Sequence, residues 1–483
     1  MVVTGLALGT VLGFVMQRGR FCVTGMIRDI FTLKTWRGFT ALLIVIAVHA
    51  VGLAALTSAG VISPSISEFA PAPVIVGGFL FGLGIVLAGG CASGTWYRSG
   101  EGLVGSWIAL AMYGLSAAAM NAGALAWLDE ALASHTVAMT TIPASLGVSV
   151  WVFVIPFAAF VAFLAAKYLR EEFSGPTMAK LPARKSGLAH LLAEKPWHFY
   201  STAVIVGALG VLAWPLSAAS GRNSGLGITT PSSDTMRFIT TGDVSRINWG
   251  TLLVFGILIG AFFAAKASGE FRVRVPSGTQ AIRSVVGGVL MGVGAVWAGG
   301  CTVGNGMVQT SLFSYQGWIA LLFIALGVGV AAKLWLRPSD PVPGSSIGGD
   351  ATPPQPSSSP SMGVDEGFSV TGSGNLLTAT RPVGTAVGVA ESSASGVGAS
   401  SGLRQVGERA YALDTLGAVC PFPLVEAKQA MASLERGDSL VIDFDCTQAT
   451  DAIPRWAANS GHSVTKFEAT GDAGWTITVK KGS

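Results

Sequence analysis

Nine apolar stretches fill the first 337 residues, each about 15 to 26 residues long, near the roughly 20 that a helix needs to cross a bilayer. They run over about 2–16, 38–57, 73–90, 102–127, 147–169, 200–217, 249–265, 284–300 and 316–336. Lipid offers the backbone no water, so stretches of this kind must close their hydrogen bonds within helices. A chain that is 51% hydrophobic and 12% charged, with 64 glycines, is committed to that solution over most of its length. The first stretch has no basic residue ahead of it and arginines after it, the reverse of a cleavable signal, and it reads as a retained span. From Pro338 to about Glu408, Gly, Ser, Pro and Ala dominate, and such a segment cannot bury a core. Apolar and polar residues alternate again from 409 to 483. The expectation is a transmembrane domain over 1–337, a flexible linker over 338–408 and a small separate domain over 409–483.

Basic residues orient the spans. Lys and Arg number fifteen in the odd-numbered loops and three in the even-numbered ones. The positive-inside bias then puts the odd loops in the cytoplasm, the N-terminus outside and the terminal domain inside. The net charge of +4 is slight and dispersed, which argues against a nucleic-acid partner. There is no Walker A motif, so ATP drive is not encoded in this chain. Five cysteines without CxxC or Cys/His ligand spacing suggest neither a disulfide framework nor a metal site, and no cofactor is expected.

The membrane part repeats itself. Val76 to Gly94 reads VGGFLFGLGIVLAGGCASG and Val286 to Gly304 reads VGGVLMGVGAVWAGGCTVG, an offset of 210 residues. The same offset lays Thr40–Ser58 over Gly250–Ser268, and a slightly smaller one sets Gly19-Arg20-Phe21-Cys22 beside Gly221-Arg222-Asn223-Ser224. Spans 1 to 4 thus match spans 6 to 9, giving repeats of roughly 1–127 and 200–337. A shift of five spans is odd, so the copies must be inverted relative to each other, an arrangement that belongs to transporters.

Gly89-Gly90 and Gly299-Gly300 break their helices just before a cysteine. The freed backbone groups are tolerated only where protein or a polar cavity satisfies them, so the breaks should line a pathway and continue as short re-entrant helices. Cys22, Cys91 and Cys301 stand at these breaks, where inverted repeats would converge. A neutral thiol is a weak donor and a soft partner, suited to a sulfur-bearing anion better than to hard phosphate or sulfate. Taken singly, a membrane cysteine is ordinary small filler. Arg18, Arg20 and Arg222 flank the breaks and either attract anions or mark topology. Thr302 and Asn305 either donate to oxyanion oxygens or cap a helix, and His49 reads as a packed histidine.

In the terminal domain, strand-like Tyr411–Asp414 leads through Cys420-Pro421-Phe422-Pro423 into helical Leu424–Leu434. A strand at Leu440–Phe444, a helix at Ala452–Asn459 and strands at Ser463–Phe467 and Trp475–Val479 complete a two-layer α/β sandwich. Cys420 stands at a helix start, where unpaired NH groups lower a thiol pKa and hold a thiolate or persulfide. Cys446 follows a buried strand and reads as packing.

The pattern Leu413-Asp414, Gly417 and Cys420-Pro421-Phe422-Pro423 closely resembles the TusA-like sulfur-carrier family, whose CPxP cysteine accepts sulfur as a persulfide. Gln17-Arg18-Gly19-Arg20-Phe21-Cys22, with the two Gly-Gly-Cys breaks, resembles the YeeE/YedE family of sulfur transport proteins across residues 1–337. The expected fold is therefore an α-helical polytopic membrane protein with inverted repeats and re-entrant short helices, joined to a small TusA-like α/β domain. The resemblance implies thiosulfate uptake across a bacterial inner membrane along cysteines matching Cys22, Cys91 and Cys301, with Cys420 accepting or cleaving off the sulfane sulfur. Expected partners are thiosulfate or a related sulfur anion, the bilayer, and downstream cytoplasmic sulfur acceptors. Two alternatives stand beside this reading: a membrane-tethered sulfurtransferase or sulfur relay, and a transporter of another reduced sulfur or selenium compound.

Overall fold

The computed structural model describes residues 2–336 and 403–482, apart from 67, 133–134, 175–177, 183–185, 195, 419–420 and 472. The first half holds α1 (Val3–Arg18), α2 (Val23–Thr32), α3 (Arg37–Ser58), α4 (Pro71–Leu87), α5 (Ala92–Gly100), α6 (Val104–Ala122), the short α7 (Ala126–Leu132) and α8 (Ile142–Leu146), and α9 (Trp151–Ser174). The second holds α10 (Gly187–Ala193), α11 (Phe199–Ala218), α12 (Thr229–Thr241), α13 (Trp249–Ser268), α14 (Gly278–Trp297) and α15 (Tyr315–Trp335), with a π-helical turn at Gly304–Gln309. Each of the nine apolar stretches is one of these helices. Among the described residues, seven helices are long and apolar enough to cross a membrane; the 16-residue α1 is shorter than that set.

The packing repeats with the sequence. Helix α1 lies along α13, α11 along α3, α6 along α14 and α15 along α4, while α4 and α14 pair with each other. Exchanging spans 1–4 for spans 6–9 turns every one of these contacts into another of the same set, as an inverted repeat requires. Glycines set the spacing at the central pair. A Cβ on Gly77 would sit 2.5 Å from the Ala298 backbone nitrogen, and one on Gly294 would sit 2.5 Å from that of Phe81. Backbones this close exclude any side chain, the small-residue contact that holds helices together in lipid. Gly294→Val should therefore cost about 1–3 kcal/mol or more, read as loss of the monodisperse peak in detergent and a lower melting temperature.

The C-terminal domain contains β1 (Leu403–Gly407), β2 (Ala410–Thr415), α16 (Phe422–Ser433), β3 (Ser439–Phe444), α17 (Ala449–Asn459), β4 (Ser463–Ala469) and β5 (Trp475–Lys480). The sheet order is β1-β2-β3-β5-β4, with β2 and β3 parallel and the other neighbours antiparallel. Period-two burial in β3 sends Leu440, Ile442 and Phe444 into a core shared with Leu424, Ala427 and Met431 of α16 and Ile453 of α17. Strand β1 corrects the expected boundary: residues 403–407 fall inside the stretch read as linker, yet they pair with β2 through Leu403 and Leu413. The stretch Leu403-Arg-Gln-Val-Gly is polar on an edge strand, and its low apolar content hid it.

Candidate functional site

The two Gly-Gly breaks have matching geometry. Gly89 and Gly299 take φ of +72° and +70°, so each ends its helix in the left-handed conformation that glycine adopts freely. Gly84 of α4 packs on Gly287 of α14 and Gly77 packs on Ala298, so the two helices run antiparallel with their breaks at opposite ends. Eleven residues of overlap separate the breaks by about 16 Å along the axis, less than the roughly 30 Å of a bilayer's hydrocarbon core.

Backbone groups freed at the breaks are satisfied by different side chains. Buried Arg98 donates to the Gly89 carbonyl at the first break, beside Gly90. At the second, Asn305 donates to the carbonyls of Ala298 at 2.7 Å and Gly300 at 2.9 Å, while Gln316 donates to Asn305 Oδ1 at 3.0 Å. Asn305 thus serves the break with both of its amide protons, the capping alternative. His49 is buried and pairs with Ser311 Oγ at 3.3 Å, as a packed histidine does.

All three cysteines of the membrane part are free and buried. Cys22 and Cys91 precede α2 and α5 as their N-terminal flanking residues, and their thiols face each other. Gly94 faces both: a Cβ there would lie 3.3 Å from Cys91 Sγ and 3.8 Å from Cys22 Sγ. Tyr113 of α6, fully buried, donates to Thr229 Oγ1 at 2.9 Å and faces both Cys301 and Cys91. Tyr113 thus faces Cys91 of the first break and Cys301 of the second, while Cys22 lies beside Cys91 at Gly94. Sequence reading missed Tyr113 because it sits inside an apolar span, where tyrosine is unremarkable by composition. The hydroxyls of Thr24 and Thr302, two residues after Cys22 and one after Cys301, are buried with no hydrogen-bond partner among the described residues. Ser224, the counterpart of Cys22, lies with Arg222, Trp214 and Gln309 in a cleft that reaches Gly299. Among the described residues, no group of three His, Cys, Asp or Glu is placed to hold a metal ion.

A second cleft reaches the other break. It is lined by Thr24, Arg28, Gly89 and Arg283 of the helical part and by Pro421 and Phe422 of the C-terminal domain, with the Arg283 guanidinium 5.9 Å from the Phe422 ring centre. Pro421 caps the start of α16. Cys420, immediately before it, lies outside the described residues. Cys446 is buried, as expected, and is disulfide-bonded, which the spacing of the cysteines did not suggest. Three further contacts join the two parts: Arg274 to Asp445 at 3.8 Å, Arg20 to Thr450, and the Ala473 amide to the Gly269 carbonyl at 3.0 Å.

A bundle of broken, antiparallel helices with matched breaks and a small α/β domain seated against one of them is the architecture of a membrane transporter bearing a carrier-type domain. The chain belongs to the sulphur transport family, whose model matches residues 18–330, while residues 411–481 match the sulfurtransferase TusA model. It is 48% identical over 341 residues to the thiosulfate transporter TsuA of Escherichia coli K12, covering 70% of this chain and 96% of that protein. To the thiosulfate transporter TsuA of Spirochaeta thermophila it is 33% identical over 351 residues, 70% of this chain and 100% of that protein. The C-terminal domain is 61% identical over 69 residues to TsuB of Escherichia coli K12, covering 14% of this chain and 92% of TsuB.

Proposed function

We propose that this chain takes thiosulfate inward across a bacterial inner membrane along Cys301, Cys91 and Cys22 and passes it to its own C-terminal domain, where Cys420 removes the sulfane sulfur. The observation that carries the reading is that Tyr113 faces buried thiols from both helix breaks, Cys91 and Cys301, with the buried Cys22 thiol beside Cys91. Soft, neutral donors there replace part of the hydration of a sulfur anion without holding it by charge. The orphaned hydroxyls of Thr24 and Thr302 supply donors for sulfonate oxygens. The similarity to two thiosulfate transporters supports the same substrate.

With the N-terminus outside and the C-terminal domain in the cytoplasm, the Gly299 cleft is the entrance and the Gly89 cleft the exit. Arg222 stands at the entrance and Arg28 and Arg283 at the exit, where cationic side chains favour a dianion. The intervening segment of about 70 residues keeps the carrier domain near the exit at roughly millimolar effective concentration. There the Cys420 thiolate attacks the outer sulfur: a new S–S bond forms to cysteine, the old S–S bond breaks, and its electron pair leaves with sulfite. Removal of the sulfane sulfur keeps internal thiosulfate low and draws transport inward.

Radiolabelled thiosulfate uptake into liposomes by the full chain and by residues 1–337 tests the division of labour. Both should transport, and unlabelled sulfate should compete poorly. A truncated chain that moves no thiosulfate favours a tethered sulfurtransferase instead. Cysteine labelling from outside intact cells should reach residues introduced at 59–66 and not those introduced in 178–182; the reverse overturns the orientation.

A further inference from the structure

A buried polar cluster lies under the docked C-terminal domain and has no part in the transport reading. Gln17, at the end of α1 and 1% exposed, donates to Glu101 Oε1 at 3.2 Å and to Glu270 Oε2 at 2.7 Å, so one side-chain amide holds two buried carboxyl groups together. Arg18 and Arg20 reach Glu270 at 3.4 and 3.1 Å. Arg274 faces Glu101 from the other side, and its segment is laced to that of Glu101 by the Arg272 amide to the Glu101 carbonyl and the Arg274 amide to the Gly102 carbonyl. Arg98 and Tyr97 of α5 and Arg18 of α1 also face Glu101, and Arg272 faces Arg274.

Two of the arginines around this cluster also hold the C-terminal domain. Arg274 pairs with Asp445, and Arg20 bonds Thr450. Asp445 in turn accepts from the Gly417 amide at 3.0 Å, in the turn that leads to Cys420. The same Arg274 charge is therefore divided between Glu101 of the helical part and Asp445 of the carrier domain.

We propose that docking of the carrier domain is proton-linked, Glu101 holding a proton when Asp445 occupies Arg274 and releasing it when the domain leaves. The sign follows from Coulomb's law. Asp445 brings a negative charge to the arginine that favours ionised Glu101, so its arrival favours the protonated acid. Burial and the facing Glu270 carboxylate push docked Glu101, just beyond the spanning helices, up to about 7. Burial also pushes Glu270 up, but Arg20 and Arg18 overcome it and hold that partner ionised below its usual range. Undocking removes Asp445 and lowers the Glu101 value. The extra docking free energy is thus complete below the undocked value and is lost as pH rises through about 7. Acid tightens the dock and alkali loosens it. This inference rests on the docked geometry and holds whichever sulfur anion is carried.

The test uses the full chain with a protease site inserted in the segment 339–400. After cleavage, the fraction of carrier domain retained on immobilised transport domain is measured from about pH 6 to about pH 8.5, where a shift of one pKa unit gives about a tenfold weakening. Glu101→Gln, a standing mimic of the protonated acid, should retain the domain tightly and without pH dependence. Asp445→Asn keeps the acceptor for Gly417 but not the charge, and should give weaker retention with the pH dependence removed. A flat wild-type profile overturns the proposal, as does a profile that persists unchanged in Glu101→Gln. If Glu101→Gln does not fold, the Asp445→Asn profile decides alone. Loss of thiosulfate uptake without change in these profiles would count against the transport reading only.

Discussion

Replacing Cys91 by alanine should lower thiosulfate uptake about tenfold or more while leaving the amount of protein in the membrane nearly unchanged. Cys91 is fully buried, faces Cys22 and contacts Ser93 Oγ at 3.5 Å, so on the proposed reading one methyl substitution removes a donor from the anion as well as a partner from Ser93. A lost hydrogen bond of this kind is worth about 1–1.5 kcal/mol, which is about tenfold in affinity or rate. Packing changes little, because sulfur and a methyl group leave only a small void. Cys301→Ala should act alike, since Cys301 meets Tyr113 from the opposite repeat. Cys91→Ser separates softness from hydrogen bonding: it keeps a donor and should recover only part of the uptake. Initial rates in proteoliposomes at matched protein density measure all three. Near-wild-type rates in both alanine variants would reduce these cysteines to filler.

The helical architecture was legible because lipid enforces it. Apolar length located nine helices, and duplication of Ala-Gly-Gly-Cys located both breaks, since only a backbone requirement would preserve two glycines ahead of a cysteine in each copy. What the sequence hid are the groups that act through tertiary placement. Arg98 and Glu101 look like loop residues in the stretch Tyr-Arg-Ser-Gly-Glu-Gly, yet both are buried, one serving the first break and the other facing Glu270, far away in the chain. Gln17 and Arg18 read as the topology-setting end of a first span, whereas they lie almost fully buried between two repeats. The repeats are also less alike than their sequences suggest. A nine-residue α-helix follows Cys91, but a π-helical turn follows Cys301, where Asn305 and Gln316 rather than an arginine satisfy the broken backbone. Polar side chains that cap buried carbonyls carry no periodic signature, so only the fold could pair them with their carbonyls.

The largest single effect is expected at Cys420. Its neighbour Pro421 stands at the N-cap of α16, and Pro421 and Phe422 line the cleft that reaches the Gly89 break, the exit in the proposed reading. Serine in its place keeps size and hydrogen bonding but offers an oxygen that attacks sulfane sulfur poorly. Reduced, solubilised full-length Cys420→Ser should consume thiosulfate slower by about a thousandfold or more, the scale on which enzymes lose rate when a nucleophile is removed. Uptake measured over seconds should fall much less, because in the proposed pathway the three thiols of the helical part pass the anion without covalent chemistry. The two readouts must therefore diverge. Mass spectrometry after thiosulfate exposure should find one added sulfur on the peptide containing Cys420, with sulfite released in equal amount, and none in the serine variant. Prior reduction matters, since Cys446 is disulfide-bonded and must not be mistaken for the acceptor. An added sulfur on Cys446 instead, or undiminished consumption by Cys420→Ser, would show that the carrier domain uses a different nucleophile. Equal loss of uptake and consumption would show that the anion cannot leave the helical part until Cys420 has taken its sulfur, making the transfer an obligatory step of transport.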